Sequence, residues 1–156
     1  MSKIKKILAP TDLSDLSKLG LRYALEVARD TSAEVIVYHT IDFSGEWADK
    51  RSEVVAHPDL LEYSRKKLQA FLAENFADCL NLVEVRQMVE IGSPTQNIVD
   101  KAAEEGVDMI ILSTHGRTGL DHIILGSVTE KVVARAPCPV LVVPRSGRHL
   151  PDAKAA

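Results

Sequence analysis

Large rings are scarce in this 156-residue chain, which has one Trp, three Tyr and three Phe, 4 % of its residues. A core so poor in aromatics must be filled by Val, Ile, Leu and Ala, the palette of helices stacked on a parallel sheet whose β-branched strands are covered on both faces. Excess positive charge is also lacking. With 22 acidic and 19 basic residues and a net charge of -3, no global cationic field exists to drive nucleic-acid binding. No apolar run approaches the ~20 residues of a membrane span, so no membrane partner is expected. The first apolar run ends at Pro10, too early for a signal peptide. Cysteine is limited to Cys79 and Cys138, which are far apart, form no C-x-x-C and lack metal-ligand spacing. They read as reduced, buried or half-buried thiols of a cytoplasmic protein.

Apolar residues make up 46 % of the chain and charged residues 26 %, close to globular averages, which excludes wholesale disorder, collagen-like repeats and a coiled coil. The length suits one domain, read as residues 1–145, followed by a loose tail over 146–156 without a core pattern.

Ile7 to Ala9 reads as a strand ending at Pro10, and Thr11-Asp12-Leu13-Ser14 as a cluster of helix-capping side chains. The helix that follows carries a stripe of Leu16, Leu19, Gly20, Tyr23, Ala24, Val27 and Ala28. Val35 to Ile41 is a β-former run typical of an interior strand. Residues 42–57, with Trp47, form the longest loop. Pro58 opens a helix with Leu61, Leu68, Phe71, Leu72 and Phe76 on one face. Leu82 to Glu90 alternates, as an edge strand does. Gly92-Ser93-Pro94 starts a helix, with Ser93 as cap and Gln96 reaching back to complete a capping box, and Gly106 stops it. Met109 to Leu112 is apolar throughout and reads as a central strand. Ser127 and Glu130 are spaced as a second capping box at the start of the last helix. Val140 to Val143, flanked by Pro139 and Pro144, reads as an edge strand.

Five strands alternating with four helices imply an α/β fold, a three-layer α/β/α sandwich around a parallel sheet of order 3-2-1-4-5. Such a sheet opens a crevice where the chain reverses direction between strands 1 and 4. The site is therefore expected from Pro10, Thr11 and Asp12 on one side and from Ser113 onward on the other.

The second side holds the most informative stretch, Ser113-Thr114-His115-Gly116-Arg117-Thr118-Gly119, then six residues, then Gly126-Ser127-Val128-Thr129. Glycines allow the backbone close to a ligand, the amides that start a helix donate to an anion, and Ser127 and Thr129 add hydroxyls. The pattern describes a phosphate cradle. It contains no G-x-x-x-x-G-K-[ST], and no G-x-G-x-x-G follows the first strand, so neither a P-loop NTPase nor a dinucleotide fold is indicated.

At these residues the sequence resembles the universal stress protein family, across 3 to 144. The resemblance rests on Ile7-Leu8-Ala9-Pro10-Thr11-Asp12-Leu13-Ser14, His39, Gly92-Ser93-Pro94 and Thr114-His115-Gly116-Arg117-Thr118-Gly119. Gly126-Ser127-Val128-Thr129-Glu130 and Cys138-Pro139-Val140-Leu141-Val142-Val143-Pro144 complete it. ATP-binding members carry a glycine, two residues, a glycine, nine residues, then Gly-Ser or Gly-Thr; here Gly116 and Gly126-Ser127 match, and Ser113 replaces the first glycine. The Ser113 side chain could crowd a ligand or bond to it, and serine is the smallest polar replacement.

The resemblance implies adenine near Pro10, Thr11, Asp12 and Thr40, ribose near Leu112 and Ser113, and phosphates on Gly116, Gly126, Ser127 and Val128. It implies a cytoplasmic stress-response or signalling module that binds ATP, or ADP or AMP, with Mg2+ or Mn2+, and a homodimer through Val140 to Val143. Other roles stay open at several residues. Asp12 and Ser14 either cap the first helix or face the ligand. Arg117 either neutralises the terminal phosphates or is an exposed loop charge. His115 either bonds backbone or assists at the phosphates, and Ser127 either closes a capping box or meets a phosphate. The alternatives for the whole chain are a protein-interaction module with an empty cradle, or a slow ATP hydrolase. No dedicated base with a second orienting group is visible for efficient hydrolysis.

Overall fold

The computed structural model of the chain describes residues 3–42, 58–114 and 125–145. In chain order they form β1 (Lys6–Pro10), α1 (Ser17–Thr31), β2 (Glu34–Ile41), α2 (Pro58–Leu80) and β3 (Glu84–Ile91). Then follow α3 (Pro94–Glu105), β4 (Met109–Ser113), α4 (Ser127–Arg135) and β5 (Val140–Val143). The five strands form one sheet of order β3-β2-β1-β4-β5 with every neighbouring pair parallel, as the alternation of patterns predicts. The loop over 43–57 and the tail from 146 onward lie outside the described residues.

Successive strand residues point to opposite faces, and the core divides accordingly. Ile7, Ala9, Val35, Val37 and Ile111 pack against Leu21 and Leu25 of α1 and Leu68, Leu72 and Phe76 of α2. Leu8, Ile36, Tyr38, Ile110 and Leu112 pack on the other face, against Ile98 and Ala102 of α3 and Val132 of α4. The apolar run of β4 is thus needed on both sides.

Local signals are corrected in all four helices. The buried stripe of α1 is Ser17, Gly20, Leu21, Ala24, Leu25 and Ala28, whereas Leu19 of the expected stripe is exposed. Leu16 is the N-cap, so the helix begins one residue after the first of the expected stripe. Neither expected capping box forms. Ser93 is the N-cap of α3 without a side-chain cap bond, and Gln96 Nε2 donates instead to Asp100 Oδ1 at 2.7 Å. In α4 the N-cap is Gly126, one residue earlier than expected, and it too lacks a side-chain cap bond. The helix α2 is also broken within its apolar stripe, at Phe76 (φ -132°, ψ 17°). Arg22 spans the break, donating to the Asn75 carbonyl at 2.8 Å and lying 5.0 Å from the Phe76 ring centroid.

The register positions the site. Five β1 residues, Lys6 to Pro10, pair with Glu34 to Tyr38 of β2, but only Ile7 and Leu8 pair with Met109 and Ile110 of β4. Beyond Leu8 the two central strands separate, and Pro10 has no N–H with which to extend a ladder. At the opposite end charge closes the sheet. Asp108 Oδ2 accepts from the Lys5 and Lys6 amides at 2.8 and 3.0 Å, and Arg86 bridges Glu34 and Glu105 at 2.8 and 2.6 Å.

The helix α1 approaches β4 through Gly20, where a Cβ would lie 2.7 Å from Ser113 N and 2.8 Å from the Leu112 carbonyl carbon. Gly20→Ala is expected to destabilise the fold by about 3 kcal/mol through overpacking. Gly106→Ala, at a helix end with φ +58° and nothing within 4 Å, should cost only about 1 kcal/mol, for conformation alone. Urea unfolding midpoints of the two variants check this difference.

Candidate functional site

A cavity of about 280 Å³ lies where β1 and β4 part. Its wall is supplied by Pro10, Thr11 and Asp12 after β1, Ser17 of α1, and Thr40 and Asp42 at the end of β2. Pro94 and Ile98 of α3, Leu112 and Ser113 of β4, and Val128 and Thr129 of α4 complete the described lining. All come from the carboxyl ends of strands or the amino ends of helices, as a switch point requires.

The β1–α1 side is held by short side chains bonding one another and the backbone. Thr11 Oγ1 and Ser17 Oγ are 2.7 Å apart, and Thr11 Oγ1 also accepts from the Leu13 amide at 3.0 Å. The Ser17 hydroxyl donates to the Ser14 carbonyl at 2.8 Å, so in the 2.7 Å pair the hydrogen comes from Thr11. Leu13 takes a left-handed conformation, φ 64°, which costs a non-glycine residue roughly 1–2 kcal/mol. Asp12 Oδ1 accepts from the Ser14 amide at 3.0 Å, and Ser14 Oγ accepts from the Ser17 amide at 3.2 Å. The capping alternative for Asp12 and Ser14 thus takes the form of two successive turns leading into α1. His39 Nδ1 lies 2.8 Å from the Thr11 carbonyl, which can only accept, so this nitrogen carries the proton.

On the β4–α4 side the Ser113 hydroxyl accepts from the Gly20 amide at 2.7 Å, and the Ser113 carbonyl accepts from Thr129 Oγ1 at 3.1 Å. The Ser113 hydroxyl therefore points to α1. Thr129 is buried and its hydrogen is directed to the strand. The first turn of α4, with no side chain on its cap, leaves amides of the kind that receive anions.

Of the residues expected at the site, Pro10, Thr11, Asp12, Thr40, Leu112, Ser113, Val128 and Thr129 line the cavity. Gly126 and Ser127 stand at the N-cap and first position of α4, directly before Val128. His115, Gly116 and Arg117 lie outside the described residues. Ser17, Asp42, Pro94 and Ile98 are additional wall residues. Pro94 and Ile98 carried a sequence signal only as a helix start and a core stripe, and their position opposite β4 depends on the strand order.

A polar network holds α3, and with it Pro94 and Ile98, against β2 and β3. The Tyr38 hydroxyl donates to Glu90 Oε2 at 2.6 Å, and Lys101 Nζ reaches Glu90 Oε1 at 2.7 Å and Glu104 Oε2 at 2.8 Å. Burial, reinforced by Glu90, pushes the Tyr38 pKa well above the usual phenol range. Hydrogen bonds to Glu104 and Glu90 raise that of Lys101. Burial pushes the Glu90 carboxyl up, but the bonds from Lys101 and Tyr38 outweigh it and the pKa lies below the ordinary 4.5. Thr40 Oγ1 is buried and has no hydrogen-bond partner among the described residues.

A sequence profile of the universal stress protein family matches residues 3–144. The solved structure of protein MJ0577 of Methanocaldococcus jannaschii superposes with a TM-score of 0.75 at 35 % identity, covering 94 % of this chain and 99 % of that one. A universal stress protein solved in complex with cAMP superposes with a TM-score of 0.66 at 22 % identity, over 93 % of this chain and all of the other. One from Archaeoglobus fulgidus in complex with dAMP gives 0.55 at 22 %, over 91 % and 98 %. At these lower identities the likeness concerns the fold.

The network makes a pH-dependent contribution whose sign follows from Glu90. A carboxyl with a depressed folded pKa stabilises the fold above its unfolded value, near 4.5, and that stabilisation is lost as the pH falls through the folded value. Glu90→Gln is therefore expected to lower stability at pH 7 by about 1 kcal/mol, a modest figure because the side chain is 38 % exposed. The gap to the wild-type protein should narrow progressively as the pH is lowered below 4.5 in urea titrations at a series of pH values.

Proposed function

The chain belongs to the universal stress protein family, and from that premise we propose that it is an adenine-nucleotide-binding module of stress response or signalling, with ATP as the fullest ligand. The observation that carries this reading is the cavity between the parted strands, bounded on one side by the uncapped first turn of α4. An anion is favoured at such a turn by amide donors and by the helix dipole. A volume of about 280 Å³, just below the usual range of small-ligand sites (~300–1,000 Å³), suits a base with its sugar, leaving the phosphates to extend along α4. The relatives solved with cAMP and dAMP share that chemistry, an adenine nucleoside carrying phosphate.

In this reading adenine lies between aliphatic walls. Pro10, Leu112 and Ile98 supply apolar surface, and backbone groups around Thr11, Asp12 and Thr40 read the polar edge of the base. The ribose meets Leu112 and Ser113, and the phosphates meet Gly116, Gly126, Ser127 and Val128, with His115 and Arg117 beside them. Asp12 and Asp42 line the cavity, and no group of three His, Cys, Asp or Glu able to hold a metal occurs among the described residues. A cation such as Mg2+ or Mn2+ therefore enters with the phosphates, which supply its oxygen ligands. The outer edge of β5, with all four residues half-buried, is the surface we assign to a homodimer.

Thermal melts with AMP, ADP, ATP, cAMP and GTP, with and without Mg2+, test the reading. Adenine nucleotides at 100 times their Kd should stabilise by about 2.7 kcal/mol, and nucleotide should appear by mass spectrometry when the purified protein is denatured. Equal or absent shifts with adenine and guanine ligands would overturn it. Val128→Trp is expected to abolish the ligand-induced shift while moving the unliganded melt by less than about 5 °C. In sedimentation the protein should run as a dimer; a monomer at high micromolar concentration would refute the β5 assignment.

A further inference from the structure

The Ser113 hydroxyl makes one buried bond that ties β4 to the first turn of α1. The start of α1 has a hydrophobic N-cap, Leu16, which supplies no acceptor side chain. The first amides find separate partners. The Ser17 amide donates to Ser14 Oγ at 3.2 Å, while Lys18 and Leu19 donate to the carbonyls of Asp15 and Leu16 at 3.3 Å. The Gly20 amide reaches across to β4 and donates to Ser113 Oγ at 2.7 Å, in a buried setting. A buried amide without an acceptor is costly, so this bond secures the first turn of α1 to β4.

The same residue also holds the other wall. Its carbonyl accepts from Thr129 Oγ1 at 3.1 Å in the first turn of α4, while the helix it caps begins with Ser17, tied to Thr11 at 2.7 Å. Thr11, Ser17, Ser113 and Thr129 all line the cavity. We infer that Ser113 is a positioning residue for the ligand: its hydroxyl is the cap of α1, its carbonyl is the anchor of α4, and together they set the separation of the two cavity walls. The role rests on the nucleotide-binding reading, but the cap does not. Gly20 is the necessary counterpart, since a Cβ there would lie 2.8 Å from Ser113 Oγ.

This account and a crowding account make opposite predictions. If the Ser113 side chain merely intruded on the ligand, affinity would rise from Ser to Ala to Gly. If the hydroxyl positions the walls, Ser113→Ala and Ser113→Gly should both weaken AMP binding, by about three- to tenfold, the loss expected for one hydrogen bond.

The experiment measures AMP affinity by calorimetry and amide exchange at Gly20 by NMR. It compares the wild-type protein, both Ser113 variants and Leu68→Ala, a core truncation in α2 that lowers stability without touching the cavity lining. Gly20 exchange should quicken at least about tenfold in both Ser113 variants under conditions where the global fold is intact. Leu68→Ala should melt lower and bind AMP like the wild type, which separates positioning from general destabilisation. Wild-type affinity or better in Ser113→Gly overturns the positioning role, as does equal weakening in Leu68→Ala. Unchanged Gly20 exchange overturns the cap. A wild-type protein that binds no adenine nucleotide overturns the nucleotide reading and the positioning role with it, and is told apart because Gly20 exchange still responds to Ser113.

Discussion

The separation of β1 from β4 after Leu8 and Ile110 is the constraint on which the site depends. Two adjacent parallel strands ordinarily continue their ladder for as long as both remain extended. Here β1 stays with β2 through Pro10, and the Thr11 amide still donates to the Tyr38 carbonyl at 2.9 Å. Meanwhile β4 stays with β5 through Ser113, and the Thr114 amide donates to the Val143 carbonyl at 3.1 Å. Each central strand thus follows its outer neighbour, and the gap between them is floored by backbone whose hydrogen bonds are already made.

A gap of this kind must be walled without closing it. Large side chains would fill it and charged ones would need partners, so short hydroxyl residues are the economical choice. Thr11, Ser17, Ser113 and Thr129 each satisfy a neighbour within 3.1 Å while adding little volume. The first turn of α4 begins at Gly126 with no side chain on its cap, where a protein cap would occupy the space that a ligand takes.

Strand order and the location of the crevice were legible in the sequence because they follow from long patterns: the apolar run of Met109 to Leu112, the alternation before Glu90 and the prolines around Val140 to Val143. Details set by partners distant in sequence were not. The role of the Ser113 hydroxyl depends on Gly20, 93 residues away, and local spacing carries no trace of it. In α1 the expected stripe meets the core at Gly20, Ala24 and Ala28, but Leu21 and Leu25 fit the same helical period as Leu16 and Leu19, and it is Leu19 that is exposed. The capping boxes at Ser93 and Ser127 fit their spacing, yet Gln96 bonds Asp100 and Gly126 takes the cap. The break at Phe76 had no signal either, since the residue fits the apolar stripe and Arg22 reaches it from another helix.

The two ends of the sheet also answer differently to the solvent. The amino end is fastened by the Asp108 carboxylate on two amides and by Arg86 between Glu34 and Glu105, bonds whose strength depends on net charge. Apart from the Glu90–Lys101 pair that holds α3, the ties around Ser113 are between neutral hydroxyls, amides and carbonyls. Dissolved salt screens the first set where it is exposed and has little to act on in the second. The junction of α1, β4 and α4 is therefore insulated from ionic strength, while the α3 wall keeps a charged fastening.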